Sequence, residues 1–311
     1  MISVVVPTRR SSPDLKGCLE SLSTQSKRSS EIIVVFDEKS DKNVMMARSF
    51  GARIFFDKHH TIGGAYSKGV EVATGDIIAF IDDDCVAPRE WIKRLEDEFE
   101  EDIDVVGGED IIPDDSTAFQ KAAHQIDKAR HLKSSIYGKR AKGRLRAANI
   151  AYRKTVFEKE NFNPTLKGLQ EPEFHHRIFK AGFKVKFDPG LYVFHKRRSG
   201  LRGIFNQIYR NGKAKINIIK LHKDMISFID LVPFGYITIT LLLAYLTSNL
   251  NTTFFYVWLA INLGYFTLKP FATILKTKEI KYYPYLVLII FTREVAYSLG
   301  ILVGLKSILK G

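Results

Sequence analysis

The chain has 311 residues, 45% of them hydrophobic and 26% charged, which excludes a disordered or collagen-like polypeptide. Forty-seven Lys and Arg against 34 Asp and Glu leave a net charge of +13, pointing to an anionic partner such as nucleic acid, phospholipid or a phosphorylated substrate. Two cysteines, Cys18 and Cys85, exclude a disulfide framework and fit a reducing compartment.

In chain order the pattern predicts a strand at Ile2–Pro7, a helix at Pro13–Gln25, and strands at Glu31–Phe36 and Ile54–Phe56. A helix at Gly64–Ala73 and a strand at Asp76–Ile81 follow. Such alternation implies a mostly parallel sheet flanked by helices, with ligands beyond the carboxyl ends of the strands. Because Met1 leads straight into the first strand, no signal peptide is expected.

Composition changes near residue 226. Leu231–Thr247 is 17 residues without a charge and Phe254–Leu268 adds 15. Tyr282–Leu305 is 24 residues interrupted only by Arg293 and Glu294. A spanning helix needs ~20 apolar residues to cross a ~30 Å hydrocarbon core. Two to three spans are expected, at about 228–248, 253–275 and 282–305. Lys213, Lys215, Lys220 and Lys223 precede the first, and Lys276, Lys278 and Lys281 precede the last, whereas 248–253 has no Lys or Arg. That asymmetry places the first part on the cytoplasmic side of a multi-pass cell-membrane protein. Arg293 and Glu294 read as members of interhelical polar pairs.

Between Lys180 and Lys223 stand 12 basic residues against one acid, Asp188, and Leu201, Ile204, Phe205, Ile208 and Tyr209 recur at helical spacing. A basic amphipathic helix beside a membrane segment is expected to lie among lipid headgroups. No zinc ligands, recognition helix or RNA-stacking motif support nucleic acid as the partner. The domains are therefore expected as 1–198, 199–225 for the interfacial helix, and 226–311 for the membrane region. A second basic run, 133–146, reads as a loop able to close over phosphates. A homo-oligomer is left open.

Strand ends carry the chemistry. Asp82-Asp83-Asp84 follows an apolar strand, and three adjacent carboxylates repel one another unless a cation or donors satisfy them. A helix cap or a solvated turn explains the triplet equally well on its own.

Gly75-Asp-Ile-Ile-Ala-Phe-Ile-Asp-Asp-Asp-Cys-Val-Ala-Pro88 resembles the DXD region of family 2 glycosyltransferases, which have the GT-A fold. The resemblance runs in the family's order to about Arg210. Ser3-Val-Val-Val-Pro-Thr8 and Glu31-Ile-Ile-Val-Val-Phe-Asp37 look like its first two strands. Gly64-Ala-Tyr-Ser-Lys-Gly69 is similar to its A-R-N-x-G segment and Asn149-Ile-Ala-Tyr-Arg153 to its N-x-A-x-R strand. Gln170-Glu-Pro-Glu-Phe-His-His-Arg177 resembles the helix that bears the catalytic base, and Phe187–His195 the strand closing the domain.

The resemblance implies a membrane-anchored, inverting hexosyltransferase that uses a nucleotide-diphosphate sugar with Mg²⁺ or Mn²⁺. It implies Glu171 as base, and Pro7, Thr8, Arg9, Asp37, Lys68, Asp82 and Asp83 at the nucleotide sugar. Asp82, Asp84 and His195 would hold the metal, with Asn149 and Glu173 on the acceptor side. Gln207-Ile-Tyr-Arg210 resembles the Q-x-x-R-W motif of processive members, placing Gln207 and Arg210 near the acceptor, although Asn211 stands where Trp is usual. Tyr66 and Ser67 replace the usual Arg and Asn, and Arg9 and Arg10 the usual Tyr and Asn; the arginines are expected to hold donor phosphates.

A lipid-linked saccharide hydroxyl is the expected acceptor, with membrane lipids as further partners. A polyprenyl-phosphate glycosyl synthase of the dolichyl-phosphate mannose or glucose type is the enzyme alternative. A non-catalytic membrane protein that binds sugar nucleotides is the alternative of another class.

Overall fold

The computed structural model describes residues 1–8, 12–37, 41–99, 102–131 and 145–309. Arg9, Arg10 and most of the basic run at 133–146 lie outside these residues. The chain divides into two compact units, Met1–Asp114 with Lys133–Lys196, and Asp115–Leu132 with Arg197–Gly311.

The first unit is a three-layer α/β domain. Its elements in chain order are β1 (Ile2–Thr8), α1 (Leu15–Ser23), β2 (Glu31–Phe36), α2 (Asp41–Ser49), β3 (Arg53–Phe56), α3 (Ile62–Val72), β4 (Ile77–Phe80), β5 (Cys85–Val86), α4 (Trp91–Asp97) and β6 (Val105–Ile111). Helix α5 (Ala118–His131) belongs to the second unit. The first unit resumes with β7 (Ile150–Arg153), α6 (Lys154–Lys159), α7 (Gln170–Lys180) and β8 (Val185–His195). Every strand and helix expected up to Ile81 forms, with ends shifted by two residues or fewer.

The sheet order is β3-β2-β1-β4-β7-β6-β8-β5. Pairs β2–β3, β1–β2, β1–β4 and β6–β8 are parallel, whereas β4–β7, β6–β7 and β5–β8 are antiparallel, giving a mixed sheet. Reversed β7 sits between two parallel groups, so β1, β2, β4, β6 and β8 all point their carboxyl ends to one edge. Central strands such as Val4-Val5-Val6 and Ile33-Val34-Val35 are buried on both faces, as parallel strands covered by helices must be. One face packs on Leu15, Leu19, Trp91 and Leu95, and the other on Tyr66, Phe80, Tyr152, Phe162 and Phe174.

The β6–β8 ladder is broken where Gly108 pairs with Asp188 but Glu109 pairs with Tyr192, so Pro189–Leu191 bulges from β8. Gly108 has no alternative there, since a Cβ would collide with the Leu191 carbonyl and the Asn149 amide. Such a bulge re-aims the residues that follow it.

The second unit holds α5, α8 (Leu201–Leu221), α9 (Phe228–Asn249), α10 (Thr253–Thr277) and α11 (Tyr283–Leu309). Residues 115–132, expected within the first domain, join this unit because Ala122 and Ile126 of α5 pack with Ile274, Tyr282, Leu286 and Ile289. Helix α8 forms where the basic amphipathic pattern predicts it. Part of its apolar face is covered by α11: a Cβ on Gly300 would strike the Tyr209 carbonyl, and one on Gly304 would lie 2.9 Å from Ile216 Cγ1. Gly300-Ile-Leu-Val-Gly304 is thus a small-residue stripe that lets two backbones approach.

Glu294 on α11 is buried and pairs with Lys269 of α10, whose amine also donates to the Tyr265 hydroxyl at 2.5 Å. The interhelical pair expected for Glu294 is thereby identified. Among the described residues one segment, Ile280–Lys306, is long and apolar enough to cross a membrane. Helices α9 and α10 form at the other two apolar stretches, α10 carrying Asn262, Lys269 and Pro270 within it. Large apolar side chains remain exposed on all three, including Leu241, Tyr245, Tyr256, Leu263, Leu268, Leu288 and Phe291.

Candidate active site

The carboxyl edge of the sheet gathers polar groups from five strands, four of them bearing ionisable side chains. Asp37 follows β2, and its backbone N–H donates to the Thr8 carbonyl at 3.2 Å, which fixes the two strand ends side by side. Pro7 and Thr8 are buried at the end of β1. The Asp37 carbonyl accepts a 2.5 Å hydrogen bond from His60 Nδ1.

Beyond β4 come Asp82, Asp83 and Asp84, all half-buried. The Tyr66 hydroxyl, carried by α3, donates to Asp82 Oδ1 at 3.2 Å. The Cys18 thiol donates to the Asp82 carbonyl at 3.6 Å. His195, at the end of β8, stands between two carboxylates: Nδ1 is 3.2 Å from Asp110 Oδ2 and Nε2 is 3.3 Å from Asp84 Oδ1. Arg146 Nε lies 3.7 Å from the other oxygen of Asp110.

Glu171 enters from the first turn of α7. The turn into this helix places Leu169 at φ 56°, a left-handed conformation that costs a leucine roughly 1–2 kcal/mol. The Glu171 carboxylate accepts from the Ala147 N–H at 3.2 Å and from Gln170 Nε2 at 3.2 Å.

These carboxyls are held far from their ordinary state. Burial, then the charge of Asp84, pushes Asp82 up to about 6, with His195 and Tyr66 opposing. Burial, Asp84 and Asp82 together push Asp83 up to about 8. Burial, then Asp82, pushes Glu171 up to about 7, against the Ala147 N–H and Arg146. Carboxyls crowded this closely lack positive charge. A divalent cation bound through Asp82 and Asp84 would supply it, and the oxygen-rich donor set fits such an ion. His195 supports this reading, because Asp110 holds its Nδ1 side while Nε2 faces a second carboxylate, where a proton or a cation must intervene.

The structure brings Asp82, Asp84 and His195 together, with Glu171 close enough to feel the charge of Asp82. Other expected residues lie elsewhere. Asn149 is fully buried, where it accepts from Trp91 Nε1 at 2.8 Å and donates to the carbonyls of Glu109 at 3.0 Å and Leu191 at 2.8 Å. It ties the β8 bulge to β6 rather than facing an acceptor. Glu173 is buried and bonded to Arg177, which also pairs with Glu160; this pairing makes it part of a structural ion network. Lys68 pairs with Glu71 at 2.6 Å and lies over the Phe55 ring, its contacts on the flank of α3 rather than with the aspartates. Gln207 and Arg210 are on the exposed side of α8, in the second unit.

Asp110 was not anticipated, although it stands at the carboxyl end of β6 just as Asp82 stands beyond β4. The rule that ligands collect beyond such ends would have flagged it. Tyr66, noted in the sequence only as a departure, is an Asp82 partner.

The strand order, the carboxylate edge and the inward glutamate define a GT-A-type transferase domain. The family model described as Glycosyl transferase family 2 matches residues 3–162, and the chain belongs to that family. Glu171 and His195 lie beyond the matched residues, so their roles rest on geometry.

An uncharacterized glycosyltransferase, EpsJ of Bacillus subtilis, is 24% identical over 219 residues, covering 66% of this chain and 63% of its own. A glucosyl-dolichyl phosphate glucuronosyltransferase of Haloferax volcanii is 31% identical over 102 residues, covering 31% and 33%. The chain thus matches between a third and just under two thirds of the length of these relatives. Among solved structures, a mannosyltransferase of Pyrobaculum calidifontis in complex with GDP-Man and Mn²⁺ aligns with a TM-score of 0.64. It is 14% identical, with 94% of this chain and 86% of the other covered, a likeness of fold alone.

Proposed function

We propose that the protein is a membrane-associated inverting glycosyltransferase. It moves a sugar from a nucleotide diphosphate to a hydroxyl of a lipid-linked saccharide at the cytoplasmic face. The observation that carries this reading is the half-buried Glu171 carboxyl, held at about 7 beside the Asp82–Asp84 cluster. A carboxylate poised near neutrality is suited to accept a proton from an attacking hydroxyl. The bond between the sugar and the diphosphate breaks, a glycosidic bond forms on the opposite face, and the hydroxyl proton passes to Glu171.

A divalent ion, Mg²⁺ or Mn²⁺, bound by Asp82 and Asp84 would neutralise the departing diphosphate. Tyr66 orients Asp82, and Asp110 orients His195. Asp37, set beside Thr8, would accept from a base N–H, and Arg9 and Arg10 would meet donor phosphates. Two similar proteins support donor and acceptor classes: one forms a complex with GDP-Man and Mn²⁺, and the other is a glucosyl-dolichyl phosphate glucuronosyltransferase. Exposed apolar side chains on α9–α11, with Ile280–Lys306 long enough to span, support residence at a bilayer. The multi-pass arrangement with a cytoplasmic catalytic unit is part of the proposal. Cysteine-accessibility labelling on 248–253 tests it: labelling only from the cytoplasmic side would refute that topology.

The test of the reaction is a panel of sugar nucleotides supplied to the purified protein with extracted lipids, with and without EDTA. Metal-dependent transfer to a lipid saccharide is expected. A non-catalytic binding protein would turn over no donor under any condition, hydrolysis included. Glu171→Gln separates the enzyme readings, because a polyprenyl-phosphate acceptor is already ionised and would tolerate it.

A further inference from the structure

We propose that Asp84, Cys85 and His195 form a site for a thiophilic divalent ion, zinc above all, on the flank of the aspartate cluster. The site shares Asp84 and His195 with the donor-side ion of the proposed reaction, and it rests on that reading only for its effect on transfer. One ligand atom from each of the three residues lies within 4.8 Å of the others.

Topology produces this grouping. Strands β5 and β8 are antiparallel, and Cys85 is the direct partner of His195 in their register. Residues directly opposite on neighbouring strands project to the same face, so the thiol and imidazole converge. Asp84 is the residue before Cys85, and its Oδ1 is 3.3 Å from His195 Nε2.

The imidazole is already oriented for a metal. Asp110 Oδ2 lies 3.2 Å from Nδ1, and Nε2 lies 3.3 Å from Asp84 Oδ1, so an ion replacing the proton between Nε2 and Asp84 meets a ring already held from behind. A carboxylate behind a ligating histidine is the arrangement that fixes its tautomer and raises its basicity. Arg146, close to the other Asp110 oxygen, holds that carboxylate in place.

Ligand chemistry decides the ion. Magnesium requires near-octahedral oxygen and keeps its waters. One sulfur, one imidazole nitrogen and one carboxylate oxygen, with a fourth position open, match zinc. The Cys85 thiol is buried, and zinc binds the thiolate, so binding would displace its proton to solvent and tighten as pH rises. Cys18 is set apart, since its thiol donates to the Asp82 carbonyl at 3.6 Å. Zinc in this site takes Asp84 and His195 from the hard ion, so transfer supported by Mn²⁺ should fall as zinc is added.

The decisive measurement uses the full chain in detergent, stripped with EDTA and loaded with one equivalent of Zn²⁺. X-ray absorption should show one sulfur at about 2.3 Å. A shell of nitrogen and oxygen alone overturns the site. Co²⁺ in place of zinc should give a thiolate charge-transfer band that Cys85→Ser abolishes and Cys18→Ser retains. A band that survives Cys85→Ser refutes the assignment. Asp110→Asn should weaken zinc binding ~10–100-fold, and unchanged affinity would contradict the orienting role of Asp110. Should Cys85→Ser fail to fold, the sulfur shell of the unaltered chain still decides. No donor or acceptor enters these measurements, so a failed transfer assay and a failed zinc site are distinguishable.

Discussion

The two units solve opposite solvation problems. In the first, β-branched strands and an aromatic cluster are sealed by helices, and charge is concentrated at one sheet edge. In the second, α9–α11 turn tyrosine, leucine and phenylalanine outward while burying an ion pair, Lys269–Glu294. Water suits the surface of the first, whereas the outward apolar side chains of the second suit an apolar cover, such as the bilayer of the proposed function. One chain keeps a charged sheet edge and an apolar-surfaced helical body by giving each its own core.

The largest expected effect falls on the charged edge. Glu171→Gln should lower kcat for a hydroxyl acceptor by ~10²–10⁴-fold while leaving donor binding in place. For the unaltered protein, kcat should drop tenfold per pH unit below about 7, because the base must be ionised and its carboxyl titrates there. A flat profile from pH 5 to 8 would remove Glu171 from the base role. Stability should move the other way. A carboxyl whose folded pKa lies above its unfolded value binds its proton more tightly in the fold, so Glu171 stabilises below about 4.5 and loses that benefit as pH rises to about 7. Thermal melting of Glu171→Gln should accordingly be less pH-dependent than that of the parent across this window.

Next is the tie beneath the site. Asn149→Ala strands the Trp91 N–H and two carbonyls at the bulge, at a cost of about 3 kcal/mol. Urea unfolding of the first unit's signal should report it. A change below about 0.5 kcal/mol would mean that water replaces the lost contacts.

In the second unit, Gly300→Leu forces a side chain into the Tyr209 carbonyl and should destabilise by ~1–3 kcal/mol. Melting in detergent should show the loss in the helical transition, with the site's cation affinity unaltered. Equal loss in both would erase the distinction between the units. The smallest effect belongs to Lys68→Ala, which removes a pair with an exposed glutamate and should shift stability by less than about 0.5 kcal/mol. It should leave the donor KM unchanged, and a tenfold rise would return Lys68 to the donor site.

The strands and helices to Ile81 were legible because apolar runs and turn residues mark them directly, and the aspartate triplet was legible because it interrupts such a run. The places of Asn149 and Glu173 were not. Both are polar residues in motif-like settings, and only the β8 bulge between Asp188 and Tyr192 and the position of Arg177 show that their hydrogen bonds are spent internally. Asp110 escaped notice because β6 is linked to its neighbours by pairings far apart in sequence. Helix α5 lies between elements of the first unit in sequence, and only its packing on Leu286 and Ile289 assigns it to the second.

The glycine crossing of α8 and α11 has a mechanical consequence. With Gly212, Gly300 and Gly304 allowing backbone contact, close packing along the crossing favours movement of the two helices as one body. If α11 crosses a bilayer as proposed, a tilt imposed on it by bilayer thickness would be carried into α8, and Gln207 and Arg210 would swing with it.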